Sequence, residues 1–116
     1  MSATYNLVCE QATTFNFQFQ IKNDNTPWNL TNYTVEMTVR PFVGATTSIL
    51  FASNGNGLIA VDGPNGRVTV TVPFATTEAF VPGRYVYDLI FDSGTVVTRV
   101  LEGQFTVTGA VSLQIS

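Results

Sequence analysis

Residues 81–107 read V-P-G-R-Y-V-Y-D-L-I-F-D-S-G-T-V-V-T-R-V-L-E-G-Q-F-T-V, two long runs rich in β-branched and aromatic residues on either side of Asp92-Ser93-Gly94-Thr95. Asp, Ser and Gly supply turn chemistry and a positive φ, so the stretch reads as a central β-hairpin. Strand side chains alternate with period two, which makes the register testable. With Ser93 and Gly94 as the turn, Phe91, Leu89 and Tyr87 fall opposite Val96, Thr98 and Val100, on a face apolar enough to be core. The other face sets Ile90 against Val97, Asp88 against Arg99 and Val86 against Leu101, so the two mid-hairpin charges meet as a structural pair. Past Arg99 the apolar phase slips, because Phe105 and Val107 have the wrong parity to share a face with Val96 and Val100. One inserted residue restores it, and Gly103 is the expected bulge.

Just upstream, Ala75 to Phe80 (A-T-T-E-A-F) has helix-favouring positions over only about one turn, and predicts a helical or 3₁₀ bridge between sheets. With Pro82-Gly83-Arg84-Tyr85 it resembles the corner of an immunoglobulin-type sandwich, where Tyr85 or Tyr87 would send its hydroxyl back to the corner backbone. The alternative is that both are ordinary strand aromatics. Farther upstream, Phe15, Phe17, Phe19 and Ile21 alternate with Asn16, Gln18 and Gln20, the cleanest strand pattern in the chain. Strands are also predicted over Thr4–Cys9, Tyr33–Arg40 (ended by Pro41), Ser48–Ala52, Leu58–Asp62 and Arg67–Val72, separated by polar, Asn-, Gly- and Pro-rich turns. Seven or eight strands, one short helical turn and no linker or repeat predict one all-β domain over residues 1–116, an immunoglobulin-like antiparallel β-sandwich.

With 116 residues and 45% hydrophobic content the chain can fill a real core. Only 11% of residues are charged, against about 25% in ordinary soluble proteins. Thr, Asn, Gln and Ser carry the polar load, so the usual charged guards against edge-to-edge strand pairing are scarce, as suits a subunit packed against neighbours. Net charge is −3 and the five basic residues, Lys22, Arg40, Arg67, Arg84 and Arg99, are scattered, which argues against nucleic acid. No run is long and apolar enough to span a membrane, and Met1 to Tyr5 has no signal-peptide pattern, so synthesis in the cytoplasm is expected.

Chemistry is sparse. The chain has no His, which removes the commonest general base and zinc ligand together. Cys9 is the only cysteine and reads as a small buried hydrophobe. Eight carboxylates are spread along the chain without a metal-loop or paired-acid pattern. Asn54-Gly55-Asn56-Gly57 and Asp62-Gly63-Pro64-Asn65-Gly66 lack the residues of phosphate or calcium loops and read as turns. No catalytic residue, cofactor or metal site is therefore expected. Trp28, beside Pro27 in a connector, is either a platform for a sugar ring or partner loop, or a lid over one end of the sandwich.

Tyr5–Phe15, Leu30–Arg40, Asn65–Val72, Gly83–Leu89 and Arg99–Val107 together give the chain a family resemblance. It resembles small proteins encoded among bacteriophage structural genes, and is similar to the immunoglobulin-like N-terminal domain of phage baseplate upper proteins. The most specific pieces are Tyr85-Val86-Tyr87-Asp88 and the downstream Arg99-x-Leu101-x-Gly103. The resemblance implies a virion part without enzymatic activity: a tail, baseplate or fibre-attachment subunit, or a capsid decoration protein. Its partners would be other virion proteins and copies of itself. A carbohydrate- or receptor-binding module using Trp28 is the alternative.

Overall fold

Val, Ile, Thr, Phe and Tyr dominate the alternating segments, and branching or bulk at Cβ that crowds a helix fits a pleated surface. The computed structural model describes residues 3–23 and 26–109; the readings placed on Met1, Ser2, Asp24, Asn25 and residues 110–116 lie outside them. In chain order the strands are β1 (Ala3–Thr4), β2 (Leu7–Glu10), β3 (Phe15–Gln20), β4 (Lys22–Asn23), β5 (Thr26–Pro27), β6 (Thr34–Arg40), β7 (Leu50–Ser53), β8 (Ile59–Asp62) and β9 (Arg67–Val72). Helix α1 (Phe74–Thr77) then leads to β10 (Gly83–Asp92) and β11 (Val97–Thr108).

One sheet has the order β1-β11-β10-β6-β7, with β2 also on β11; the second is β3-β9-β8, and β4-β5 is a small separate ribbon. The chain passes from the first sheet to the second after β2 and after β7, and returns before β6 and, through α1, before β10. This is the all-β, immunoglobulin-like sandwich expected, with its Greek-key crossing. Leu7, Cys9, Val35, Met37, Val39, Leu89, Phe91, Phe105 and Val107 from one sheet bury against Phe15, Ile59, Val68, Val70 and Val72 from the other. At roughly 25 cal/mol per Å² of apolar surface, this two-sided burial is the main force closing the sandwich.

Three details differ from the sequence reading. The N-terminal strand is split at Tyr5-Asn6 and pairs parallel with β11, Ala3 beside Leu101 and Leu7 beside Phe105, so the sheet is not purely antiparallel. The helical turn sits at Phe74–Thr77, ahead of Ala75–Phe80, because Pro73 starts it and the carbonyls of Pro73 and Phe74 accept the next N–H groups. The hairpin register also moves. The loop holds four residues, 93–96, since Ser93 Oγ accepts the Val96 N–H (3.1 Å) and Asp92 Oδ1 the Gly94 N–H (2.8 Å). Asp92 therefore pairs with Val97 and Phe91 with Thr98.

The bulge is a further correction. The register shift lies at Leu89/Ile90, so that Ile90 pairs with Arg99 and Leu89 with Leu101. Val100 is the extra residue, and it and its neighbour Leu101 are both buried, the mark of a bulge turning successive side chains inward. Gly103 lies beyond it, opposite Tyr87.

Candidate interaction surface

Gly103 has a different reason for being glycine. A Cβ there would run into the Tyr5 carbonyl oxygen, with the carbonyl carbon 2.9 Å and Asn6 Oδ1 3.0 Å away. The vacancy lets the N-terminal strand close on β11. Tyr5 N–H then donates to Glu102 O (2.9 Å), Asn6 Oδ1 accepts the Gln104 N–H (3.0 Å), and the Tyr87 hydroxyl donates to Tyr5 O at 2.5 Å. Burial pushes the Tyr87 phenol up to about 12, with Tyr5 contributing less.

Tyr85 is the residue at the corner. Its hydroxyl donates to Val81 O, four residues upstream, at 2.6 Å. The crossing itself is pinned to the β2–β3 turn: the buried Thr77 hydroxyl donates to Thr13 O (2.7 Å), and Gln11 Nε2 donates to Phe80 O (2.9 Å) and Glu78 O (3.2 Å).

On the outer face of the larger sheet the revised register sets Asp88 directly opposite Glu102, a like-charge pair that would repel. The bulge turns Arg99 over both, with Nε 3.3 Å from Asp88 Oδ2 and a guanidinium nitrogen 4.0 Å from Glu102 Oε1. Asp88 and Arg99 are thus diagonal neighbours and not cross-strand partners. Beside them a cleft of about 290 Å³ opens beneath the β6–β7 loop, whose Phe42 and Val43 are 63% and 87% exposed. The Ala45 N–H donates to Phe42 O and Arg40 to Ala45 O, so the turn holds these apolar side chains outward.

Trp28 is half-buried. Its ring stands edge-on to Phe91 (5.4 Å, 81°) and to Tyr33 (6.2 Å, 81°), and packs against the core at one end of the sandwich. Cys9 is fully buried, and desolvation, helped by Glu10, pushes its thiol up to about 11, away from nucleophilic chemistry. The Asn54–Gly57 turn is wired internally: Asn56 Oδ1 accepts the Ser53 and Leu58 N–H groups, and Asn54 Oδ1 that of Val35. Among the described residues no three His, Cys, Asp or Glu side chains gather to hold a metal, and no helix is long and apolar enough to cross a membrane.

The described surface exposes the Phe42-Val43 knob, the valines of the hairpin tip, Val96 and Val97 at 60% each, and open strand edges. Sequence reading missed the first, because apolar residues in a loop carry no periodic signal. Val96, expected on the core face opposite Phe91, is instead carried into solvent by the four-residue loop, and Val97 pairs with Asp92. No protein-family model matches the chain, and no curated protein matches it in sequence. Among solved structures, the N-terminal domain of phage TP901-1 ORF48 is similar in fold: TM-score 0.55, 14% sequence identity, covering 87% of this chain and 82% of that one.

Proposed function

We propose that this protein is a non-enzymatic structural component of a bacteriophage virion: a tail, baseplate or fibre-attachment subunit, or a protein decorating the capsid, working through protein–protein contacts. The observation that carries this reading is the fold it shares with a phage protein's N-terminal domain over most of both chains. The charge-poor composition agrees with it, since a surface of neutral polar and exposed apolar groups suits burial against neighbours. Absence of histidine and the quenched thiol of Cys9 leave little for an active site to be built from.

The test is physical association with particles. Phage particles purified through a density gradient should carry the protein at a fixed copy number per particle, and a low-resolution map should locate it on the capsid or the tail. A protein that stays at the top of the gradient while intact particles band below would sink the proposal.

A further inference from the structure

Among the described residues, strand β3 is the longest open edge of the smaller sheet: six residues, F-N-F-Q-F-Q, paired only with β9 and in unbroken register from Phe15↔Val72 to Gln20↔Arg67. It has none of the devices that block edge pairing, neither charge, proline nor bulge. The other edges are guarded by brevity or interruption, β7 and β8 by being four residues long and the N-terminal strand by its break at Tyr5-Asn6. In a strand, alternate residues aim their N–H and C=O groups to opposite sides. Ile21, just past the strand end, donates its N–H to Gly66 O on the β9 side. By parity Phe15, Phe17 and Phe19 hydrogen-bond toward β9, while Asn16, Gln18 and Gln20 aim their backbone groups at the open side.

We infer that β3 pairs antiparallel with β3 of a second copy across a two-fold axis centred on Gln18. This rests on the reading of the protein as an assembly subunit and names the edge that it uses. An isologous strand pair sets a strand against its own reverse, so any charge near the axis would meet its like. β3 contains none, so its own reverse lies against it without like-charge repulsion, and a second copy is the occupant to which we commit. Centring on Gln18 sets Gln18 against the same residue of the other copy, Asn16 against Gln20 and Phe17 against Phe19. That register uses the outward groups of all three polar residues and keeps phenylalanine with phenylalanine. Tyr5, Phe17 and Phe19, stacked 5.5 and 5.4 Å apart along this flank, would gain cover. A strand about 20 Å long on a two-layer flank about 20 Å wide buries about 400 Å² per copy, half the ~800 Å² of a standard interface. The free dimer is therefore weak, and is reinforced when many copies are held on one particle.

Sedimentation of the purified full chain from about 10 µM to about 1 mM, the range a small interface requires, should show the mass rising from 12.6 kDa toward twice that value. Gln18→Lys and Gln18→Glu should each weaken association at least about tenfold, because like charges meet at the axis, while their mixture recovers it. Melting curves check that both variants fold. Gln18→Cys should be linked into dimers by a short bismaleimide, with buried Cys9 unreactive. A mass fixed at one chain throughout, association of Gln18→Lys equal to the original protein's, or no recovery on mixing would each overturn the inference. Loss of association on removing residues 110–116 alone would assign the edge to that segment and overturn it too. A dimer that persists in a protein absent from particles would defeat the virion reading and leave the pairing standing.

Discussion

The two ends of the β10–β11 hairpin are built from similar residues and live differently. At its base, Gly83–Leu89 with Leu101–Val107, β11 has a neighbour on both sides, and Tyr87, Leu89, Leu101, Phe105 and Val107 are buried. At its tip, beyond the bulge, β11 pairs only with β10, and Val96 and Val97 point into solvent. β-Branched residues alone do not decide burial; position does, since Val96 lies in the loop and Val97 pairs with Asp92 off the core face, while Phe91 of the same half is fully buried. The base should carry stability and the tip should carry contacts.

Gly103→Val should break the base most severely. The first atom it adds collides with the Tyr5 carbonyl, so the N-terminal strand must leave β11, at a cost of about 3 kcal/mol or more in chemical denaturation. Gly103→Ala should already show most of that loss, which separates a demand for space from a dislike of branching. An alanine variant as stable as the original would refute the closure described.

Tyr87→Phe should cost about 1–2 kcal/mol, because the Tyr5 carbonyl loses its hydroxyl partner in a half-closed site. It also sharpens the pH dependence. The thiol of Cys9 and the phenol of Tyr87 are held at about 11 and about 12, against 9.0 and 10.0 when free. Both are acids with raised values, so the unfolded chain releases their protons first as pH rises. Their contribution is intact below pH 9.0 and fades through the windows from 9.0 to about 11 for Cys9 and from 10.0 to about 12 for Tyr87. Melting temperature against pH should fall there, with the upper part of the fall missing in Tyr87→Phe.

At the joint between base and tip, Arg99→Ala should cost about 1 kcal/mol or less, since the groups are exposed, and less still in high salt. Exchanging the two residues, Asp88→Arg with Arg99→Asp, should recover most of it, because the relocated guanidinium would face Glu102 directly. Strictly additive single and double changes would show that the bridge contributes nothing. At the tip, Val97→Thr should shift stability by no more than about 0.5 kcal/mol, while weakening any contact the tip makes.

The same contrast explains what could be read from the sequence. Alternation in Phe15–Gln20, Thr34–Arg40 and Arg67–Val72 marks which side chains share a face, and that was enough for the sandwich. Register along the hairpin was not legible. It depends on Ser93 and Asp92 capturing backbone N–H groups, which lengthens the loop, and on the bulge at Val100 that the longer loop makes necessary. The split N-terminal strand was equally hidden, because the contacts at its break are long-range: the Tyr87 hydroxyl on Tyr5 O, 82 positions apart, and the Gln104 N–H on Asn6 Oδ1, 98 apart. Arg99 reaches Asp88 diagonally, a geometry that a one-to-one register leaves out.

Trp28, the sole tryptophan, stands edge-on to Phe91, which belongs to the tip half of the hairpin. Its emission is therefore a local gauge. A denaturation followed by indole fluorescence watches the tip loosen, whereas circular dichroism watches the whole β content disappear. If the two curves separate, the outer end of the molecule opens before the rest, and the gap between them measures how independently the two ends melt.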